Sequence, residues 1–159
     1  MTPGEIRCRT LSPGQASGKV VRLGQPLSFW GGVDHAGAVS DRHHPDCGTS
    51  LSGKILVMPS GRGSSSSSSV LAELVRVGVA PAGIVLGLPD AIIALGAIAA
   101  AELYDIRVPV VVVDPADSER LSSDAVVTVV AGQDFGVISG QLGLVDDALP
   151  AKLVEKLQT

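Results

Sequence analysis

Three short and almost wholly apolar segments alternate with helical patterns in the middle of this chain. The segments are Lys54–Met58, Gly83–Gly87 and Val108–Val113. Strands that read as continuous apolar runs are typical of parallel sheets, in which both faces of a strand are buried. A strand–helix–strand–helix–strand order is typical of a parallel α/β unit. The pattern therefore predicts an α/β fold, with Val108–Val113 as a central strand buried on both faces.

The two helices between these strands have recognisable ends. The first follows a serine run, carries apolar residues at helical spacing over Val70–Val75, and has Gly78 as a natural C-terminal cap. The second begins at Asp90, which is a favoured N-cap residue, and continues to Leu103.

Further β-structure is expected on both sides of this core. The candidate strands are Ile6–Thr10 and Lys19–Leu23, separated by a Ser-Pro-Gly turn, and Val126–Ala131 and Val137–Ser139, with a short C-terminal helix at about Leu149–Leu157. A length of 159 residues is that of one ordinary domain. We therefore expect a single domain over residues 1–159.

Charge and composition exclude several classes of function. The net charge is −4, and twelve Lys and Arg residues are spread thinly along the chain, whereas a nucleic-acid binder needs a clustered basic face. The longest apolar stretch, Ala91–Leu103, is shorter than the roughly 20 residues that span a bilayer, and the N-terminus does not read as a signal peptide. We expect a cytoplasmic domain that binds neither nucleic acid nor a membrane.

The strongest local signal for function is the segment Gly61–Ser67, which lies between a predicted strand and a predicted helix. The N–H groups at a helix N-terminus bind anions, glycines let the backbone approach a ligand, and Arg62 can add a bidentate donor. A serine here could act as a base if the same N–H groups stabilised its alkoxide. The alternative is that one serine caps the helix and the others are simply solvated.

Two other segments allow more than one interpretation. In Asp41–Pro45 (DRHHP), adjacent histidines point in opposite directions and no third metal ligand has suitable spacing, which favours local hydrogen bonding. A phosphohistidine, as in swivelling phosphotransfer domains, lacks a supporting motif. The aromatic pair Phe29 and Trp30 lines a pocket or closes the end of a barrel. The chain thus has an anion cradle but no complete catalytic set, which indicates that another chain supplies the missing chemistry.

Four segments form an ordered set of motifs. They are Pro26–Asp34 (PLSFWGGVD), Asp41–Pro45 (DRHHP), Gly53–Ser65 (GKILVMPSGRGSS) and Ala80–Ile84 (APAGI). In this order they resemble the small subunit of aconitase X, from about Gly18 to Val113. The resemblance implies a swivelling β/β/α fold like the mobile fourth domain of aconitase. It also implies a heteromer with a large subunit whose cysteines hold an iron–sulfur cluster, and no cofactor or metal on this chain itself.

The resemblance further implies a reaction and its residues. Family members dehydrate cis-3-hydroxy-L-proline to Δ1-pyrroline-2-carboxylate, or mevalonate 5-phosphate to an anhydromevalonate phosphate, in a site between the two subunits. By likeness to the Gly-Ser-Ser motif of aconitase-like swivel domains, Ser65 is the general base that removes the α-proton. The residues implied to bind the small anionic substrate are Gly61, Arg62, Gly63, Ser64 and Ser66. In those swivel domains an arginine directly follows the catalytic serine, whereas this chain has Ser66 there.

The first hypothesis is therefore the small subunit of a hydro-lyase of the aconitase X type. The serine run and the Asp41–Pro45 loop favour the members that act on cis-3-hydroxy-L-proline. One alternative is the small subunit of a mevalonate 5-phosphate dehydratase. The other, from a different class, is a non-catalytic binding or phosphotransfer swivel domain.

Overall fold

Seven strands close into a barrel in the computed structural model of the protein, which describes residues 4–144. The strands are β1 (Glu5–Ser12), β2 (Gly14–Arg22), β3 (Ile55–Met58), β4 (Gly83–Leu86), β5 (Val110–Val112), β6 (Val126–Ala131) and β7 (Phe135–Gly140). The helical segments are α1 (Phe29–Gly32), α2 (Ser67–Val77), α3 (Ala91–Tyr104) and α4 (Pro115–Ser118).

The barrel combines a parallel half with an antiparallel half. Around the barrel the strands follow the order β1-β5-β4-β3-β2-β6-β7, and β7 pairs with β1 to close it. The neighbours β2, β3, β4 and β5 run parallel, whereas β1, β6 and β7 pair antiparallel with their neighbours. The predicted parallel α/β core with β-structure on both sides is confirmed, and the closure of the sheet is an additional finding.

The apolar runs are unbroken because the barrel strands face two separate cores. In β3, Ile55 and Val57 belong to the cluster that fills the barrel with side chains from all seven strands. The alternate residues Leu56 and Met58 belong to a second cluster, which includes the buried faces of α2 and α3. Since side chains alternate along a strand, a strand covered by helices on its outer side needs apolar residues at every position.

The predicted helix ends agree with the structure. The Asp90 carboxylate accepts hydrogen bonds from the N–H groups of Ile92 (2.9 Å) and Ile93 (3.0 Å), and α3 begins at the next residue. Gly78 has φ +82° and caps the C-terminus of α2 through its N–H group. Both caps act on neighbouring residues, which is why the sequence is enough to place them.

Several strand limits differ from the prediction. The first two strands are longer than expected and leave only Pro13 between them, because β1 pairs with both β5 and β7 and β2 pairs with β6 from Gly14 onward. The central strand is shorter, at Val110–Val112, because Pro109 has no N–H group to contribute to the sheet. The predicted helix at Leu149–Leu157 lies outside the described residues, and a single domain over residues 1–159 stays a prediction. Within residues 4–144, no helix is long and apolar enough to cross a membrane.

Candidate functional site

The candidate site is the turn Gly61–Ser66, which we call the cradle. It connects β3 to α2, and α3 begins next to it because β4 runs parallel to β3. Two long helices therefore start at the same edge of the barrel. Helix N-termini carry a partial positive charge, so this edge favours a bound anion.

Both glycines of the cradle are required by close contacts. A Cβ atom on Gly61 would lie 2.5 Å from Asp90 Oδ2 and 2.6 Å from Ile93 Cδ1, so the turn packs directly on the first turn of α3. Gly63 has φ +97°, which a side chain rarely adopts, and its Cβ would lie 2.5 Å from Ser28 Oγ. The spacing of the two glycines therefore reflects contacts with two other segments of the chain.

The serines of the cradle satisfy part of the helix N-terminus themselves. Ser64 Oγ accepts the N–H of Ser66 (3.1 Å), and the Ser64 carbonyl accepts the N–H of Ser67 (3.0 Å). The Ser65 carbonyl accepts two hydrogen bonds from Ser68, one from its N–H and one from its hydroxyl (2.9 Å). These bonds hold the turn and direct the remaining polar groups outward.

Three backbone donors and one hydroxyl remain available for a ligand. Within residues 4–144, the N–H groups of Gly63, Ser64 and Ser65 donate to no other group, and the exposed Ser65 hydroxyl has no partner. Arg62 is exposed, its backbone N–H donates to the Leu27 carbonyl, and its guanidinium forms no ion pair within the same residues. The cradle therefore offers N–H donors and a cation beside a free hydroxyl, as the sequence predicts for an anion site.

The closed part of the cradle is small. It forms a cavity of about 50 Å³ lined by Gly61, Arg62, Gly63 and Ser64 of the predicted site. Ligand pockets are usually on the order of 300–1,000 Å³. The structure thus brings these four predicted residues together, and Ser65 lies at the surface beside them. Ser66 is also exposed, but it lines a separate groove along α2. A substrate bound here would need a second surface above the turn.

A larger groove of about 710 Å³ lies on the other side of the serine run, between α2 and the exposed Trp30. Two carboxylates line it. The N–H of Ala38 is the main cause that holds the pKa of Asp34 below its usual value, and the hydrogen bond from Arg76 does the same for Glu73. Asp90 also lines the cradle cavity, and Glu73 in the groove is paired with Arg76, so carboxylates are present at both places. The cradle differs from the groove in its N–H donors and in Arg62, and these favour it as the anion site.

Both aromatic residues line pockets, Phe29 the cradle cavity and Trp30 the groove, and Phe29 belongs to the cluster outside the barrel and not to the one inside it. Phe29 is fully buried in the core beneath the helices, whereas Trp30 is 59% exposed at the rim of the groove. The histidine loop forms local hydrogen bonds. His44 is buried, its Nδ1 accepts the N–H of Asp46 (3.0 Å), and its Nε2 lies 3.3 Å from the Gln25 carbonyl. With both ring nitrogens engaged, His44 is not available as a metal ligand or phosphoryl acceptor.

The residues of this chain do not fit an iron–sulfur cluster. Its two cysteines have different surroundings and cannot bind one cluster together, since Cys8 is buried inside the barrel and Cys47 is exposed on a loop. No group of three or more His, Cys, Asp or Glu residues within 4–144 could hold a metal ion.

The two thiols should differ in reactivity. Burial raises the pKa of Cys8 to about 11, although the N–H of Gly136 lowers it slightly, and the thiolate is the form that reacts with alkylating agents. At pH 8.5, we expect iodoacetamide to label Cys47 in the folded chain while Cys8 reacts only after denaturation. Mass spectrometry of the labelled peptides checks this, and equal labelling in the folded chain would contradict the buried position of Cys8.

The same pKa shift makes stability depend on pH. The unfolded chain loses the Cys8 proton near the ordinary pKa of 9.0, whereas the folded chain keeps it up to about 11. The free energy of unfolding should therefore fall as the pH rises from about 9 to about 11. Replacing Cys8 with Ala should remove this part of the pH dependence in urea unfolding curves.

Two residues at the site, Ser67 of the predicted segment Gly61–Ser67 and Ser28 of the SFWGG motif, were assigned no individual role from the sequence. Ser67 is the buried member of the serine run, at 4% exposure, and its hydroxyl contacts Ser28 and Trp30. Ser28 belongs to the SFWGG motif, which lies next to the cradle only in the folded chain. Composition and spacing do not predict this contact, because Ser28 and Ser67 are 39 residues apart in the sequence.

Fold and site together define an α/β barrel domain that presents the cradle, with its N–H donors and Arg62, at its surface. The family described as aconitase X swivel domain matches residues 5–139. The chain is also similar to the crystal structure of aconitase X from Thermococcus kodakaraensis in its holo-form. The TM-score is 0.74 and the identity 36%, over 86% of this chain and 97% of that one. The chain therefore belongs to the aconitase X swivel domain family, which confirms the swivelling fold.

Two relatives indicate the range of this family. The chain is 53% identical, over 103 residues, to a cis-3-hydroxy-L-proline dehydratase of Pseudomonas aeruginosa; the match covers 64% of this chain and 18% of that protein. It is 43% identical, over 97 residues, to a phosphomevalonate dehydratase small subunit of Methanothermobacter thermautotrophicus, over 60% of this chain and 74% of the relative. The chain thus spans less than a fifth of the length of the first relative.

Proposed function

We propose that this chain is the small-subunit component of a dehydratase and carries the proton-removing half of its active site. The observation that carries the proposal is the hydroxyl of Ser65, which together with the N–H groups of Gly63 and Ser64 has no hydrogen-bond partner within residues 4–144. Serine is a weak base at its ordinary pKa. N–H groups at a helix N-terminus would stabilise its alkoxide, and Arg62 would add a positive charge.

The proposed reaction removes a proton and a hydroxyl from adjacent carbons. Both substrates of the relatives contain a carboxylate, a proton on the neighbouring α-carbon and a hydroxyl on the β-carbon. The Ser65 alkoxide would take the α-proton, and the electrons of that C–H bond would form the double bond as the C–O bond at the β-carbon breaks. The departing hydroxide would become water by taking a proton from solvent, and Ser65 would return its own proton to solvent. Arg62 and the free N–H groups of the cradle would hold the substrate carboxylate, with Gly61 and Gly63 keeping the approach open and Ser64 and Ser66 shaping the turn.

The preferred substrate in this proposal is cis-3-hydroxy-L-proline. The supporting observation is the 53% identity to the Pseudomonas aeruginosa relative, against 43% to the Methanothermobacter thermautotrophicus one. A second candidate, mevalonate 5-phosphate, is favoured by a different observation. The chain covers 74% of the phosphomevalonate dehydratase small subunit but 18% of the hydroxyproline dehydratase.

A partner surface completes the proposed site. The cradle encloses only about 50 Å³, so the rest of the substrate has to be covered by another polypeptide, and the small-subunit name of the relatives supports a large subunit in that place. We assign the iron–sulfur cluster to this large subunit, since Cys8 and Cys47 do not fit one. A cytoplasmic location agrees with two cysteines that form no disulfide.

The experiment is a substrate comparison with the assembled enzyme. The chain is co-purified with its large subunit, and the dehydration of cis-3-hydroxy-L-proline and of mevalonate 5-phosphate is followed in parallel. We expect kcat/KM for cis-3-hydroxy-L-proline to exceed that for mevalonate 5-phosphate by at least about tenfold, because a site that binds one polar substrate leaves groups unpaired with the other. The chain without its large subunit should be inactive.

The other possible results of this substrate comparison lead to different conclusions. The reverse preference would support the mevalonate 5-phosphate alternative. Turnover of neither substrate by an assembled, cluster-loaded complex would overturn the proposed substrate class. Turnover by the isolated chain would contradict the conclusion that it holds only part of the site.

A further inference from the structure

A closed ring of hydrogen bonds joins the cradle to the SFWGG motif. Ser67 Oγ accepts the backbone N–H of Trp30 (3.1 Å) and lies 3.3 Å from Ser28 Oγ. Ser28 Oγ in turn donates to the Trp30 carbonyl (3.0 Å). The series of hydrogen bonds therefore begins at the N–H of Trp30 and ends at the carbonyl of the same residue.

The direction of every bond in this ring is determined. The Trp30 carbonyl can only accept, so the one hydroxyl proton of Ser28 is committed to it. The contact between the two hydroxyls must then use the proton of Ser67. Because Ser67 also accepts the Trp30 N–H, its hydroxyl is engaged as donor and acceptor, and it is not free to serve as a base.

The ring holds together three parts of the site. Ser67 is the first residue of α2, directly after the cradle, and Ser28 Oγ lies against Gly63, where an added Cβ would approach it to 2.5 Å. Trp30 has non-helical backbone angles (φ −78°, ψ 111°), so α1 does not supply the usual helical bonds for its N–H and carbonyl. The ring supplies a partner for both groups.

We infer that Ser67 and Ser28 are positioning residues, which set the cradle and the Trp30 backbone relative to each other. Their effect reaches the reacting atoms through Gly63 and through the start of α2. Ser67 lines the cradle cavity, but its hydroxyl is already engaged by Trp30 and Ser28 within the ring. The inference that Ser67 and Ser28 set this geometry is based on the ring alone, whereas the expected effect of the two residues on turnover rests on the proposed dehydratase function.

The geometry can be tested without any enzyme assay. Trp30 is the single tryptophan of the chain, so its fluorescence reports on one position. In the isolated full chain, Ser67→Ala and Ser28→Ala should each lower the fluorescence anisotropy of Trp30. The control is Ser17→Ala, which removes another hydroxyl pair, with Thr128 (2.7 Å), on the exposed strands β2 and β6. It should leave the anisotropy unchanged.

The effect on turnover is measured in the complex with the large subunit. We expect Ser67→Ala and Ser28→Ala each to lower kcat by about tenfold to hundredfold while KM changes by less than about threefold, because small displacements of a catalytic group cost rate. The double variant should be no worse than the poorer single variant, since both break the same ring. Ser17→Ala should keep the wild-type kcat.

Different experimental results would overturn the positioning role of the ring and the proposed dehydratase function. Wild-type anisotropy in both alanine variants would overturn the inference, as would additive losses of kcat in the double variant. Loss of activity only in proportion to the unfolded fraction would also overturn it, because that is the effect of a purely structural bond. A fall in anisotropy together with an inactive wild-type complex would uphold the ring and overturn the proposed function.

Discussion

Replacing Ser65 with alanine is expected to lower the kcat of the assembled dehydratase by about 10²- to 10⁴-fold, the range that general-base catalysis contributes. KM should change little, because the N–H groups and Arg62, which we assign to carboxylate binding, remain. Since the Ser65 hydroxyl is exposed and has no partner within residues 4–144, the free energy of unfolding should stay within about 0.5 kcal/mol of wild type. Steady-state kinetics and urea unfolding of the same preparation measure both effects.

The matched control is Ser69→Ala, an exposed serine of the same run in the first turn of α2. It should retain wild-type kcat. Full activity in Ser65→Ala would remove Ser65 from the proposed mechanism. If Ser66→Ala lost activity instead, the base would lie one position further along the turn, where aconitase-like swivel domains have an arginine.

Replacing Gly61 with alanine is expected to damage both the fold and the site. The new methyl group would lie 2.5 Å from Asp90 Oδ2, and Asp90 cannot yield freely because its other oxygen caps α3. Overpacking costs about 1–3 kcal/mol and loss of an N-cap about 1 kcal/mol. The free energy of unfolding should therefore fall by about 2–4 kcal/mol, and turnover in the complex should drop by at least about tenfold.

Gly24→Ala is the control for this substitution, because an added Cβ at Gly24 meets no atom within 4 Å. Its free energy of unfolding should stay within about 0.5 kcal/mol of wild type. Urea unfolding of the isolated chain measures both variants. A Gly61→Ala variant as stable as Gly24→Ala would contradict the close packing of the cradle on α3.

The identification of the cradle from sequence depended on local signals. Glycines, an arginine and a serine run between a strand and a helix are close together in the chain, and the chemistry of a helix N-terminus follows from that order. The roles of the individual serines could not be predicted from the same local signals. Ser65 and Ser67 are both serines of one run, yet one is exposed and free and the other is buried and fully bonded.

The features that could be predicted from the sequence are local. The apolar runs at β3, β4 and β5 predict strands buried on both faces, and Asp90 and Gly78 mark helix ends, because each pattern acts over a few residues. The tertiary structure was needed to show that the sheet closes, that Gly61 packs on Asp90, and that Ser67 is bonded to Ser28. These contacts join residues 29 or more positions apart, so their formation depends on how the barrel brings distant loops to one edge.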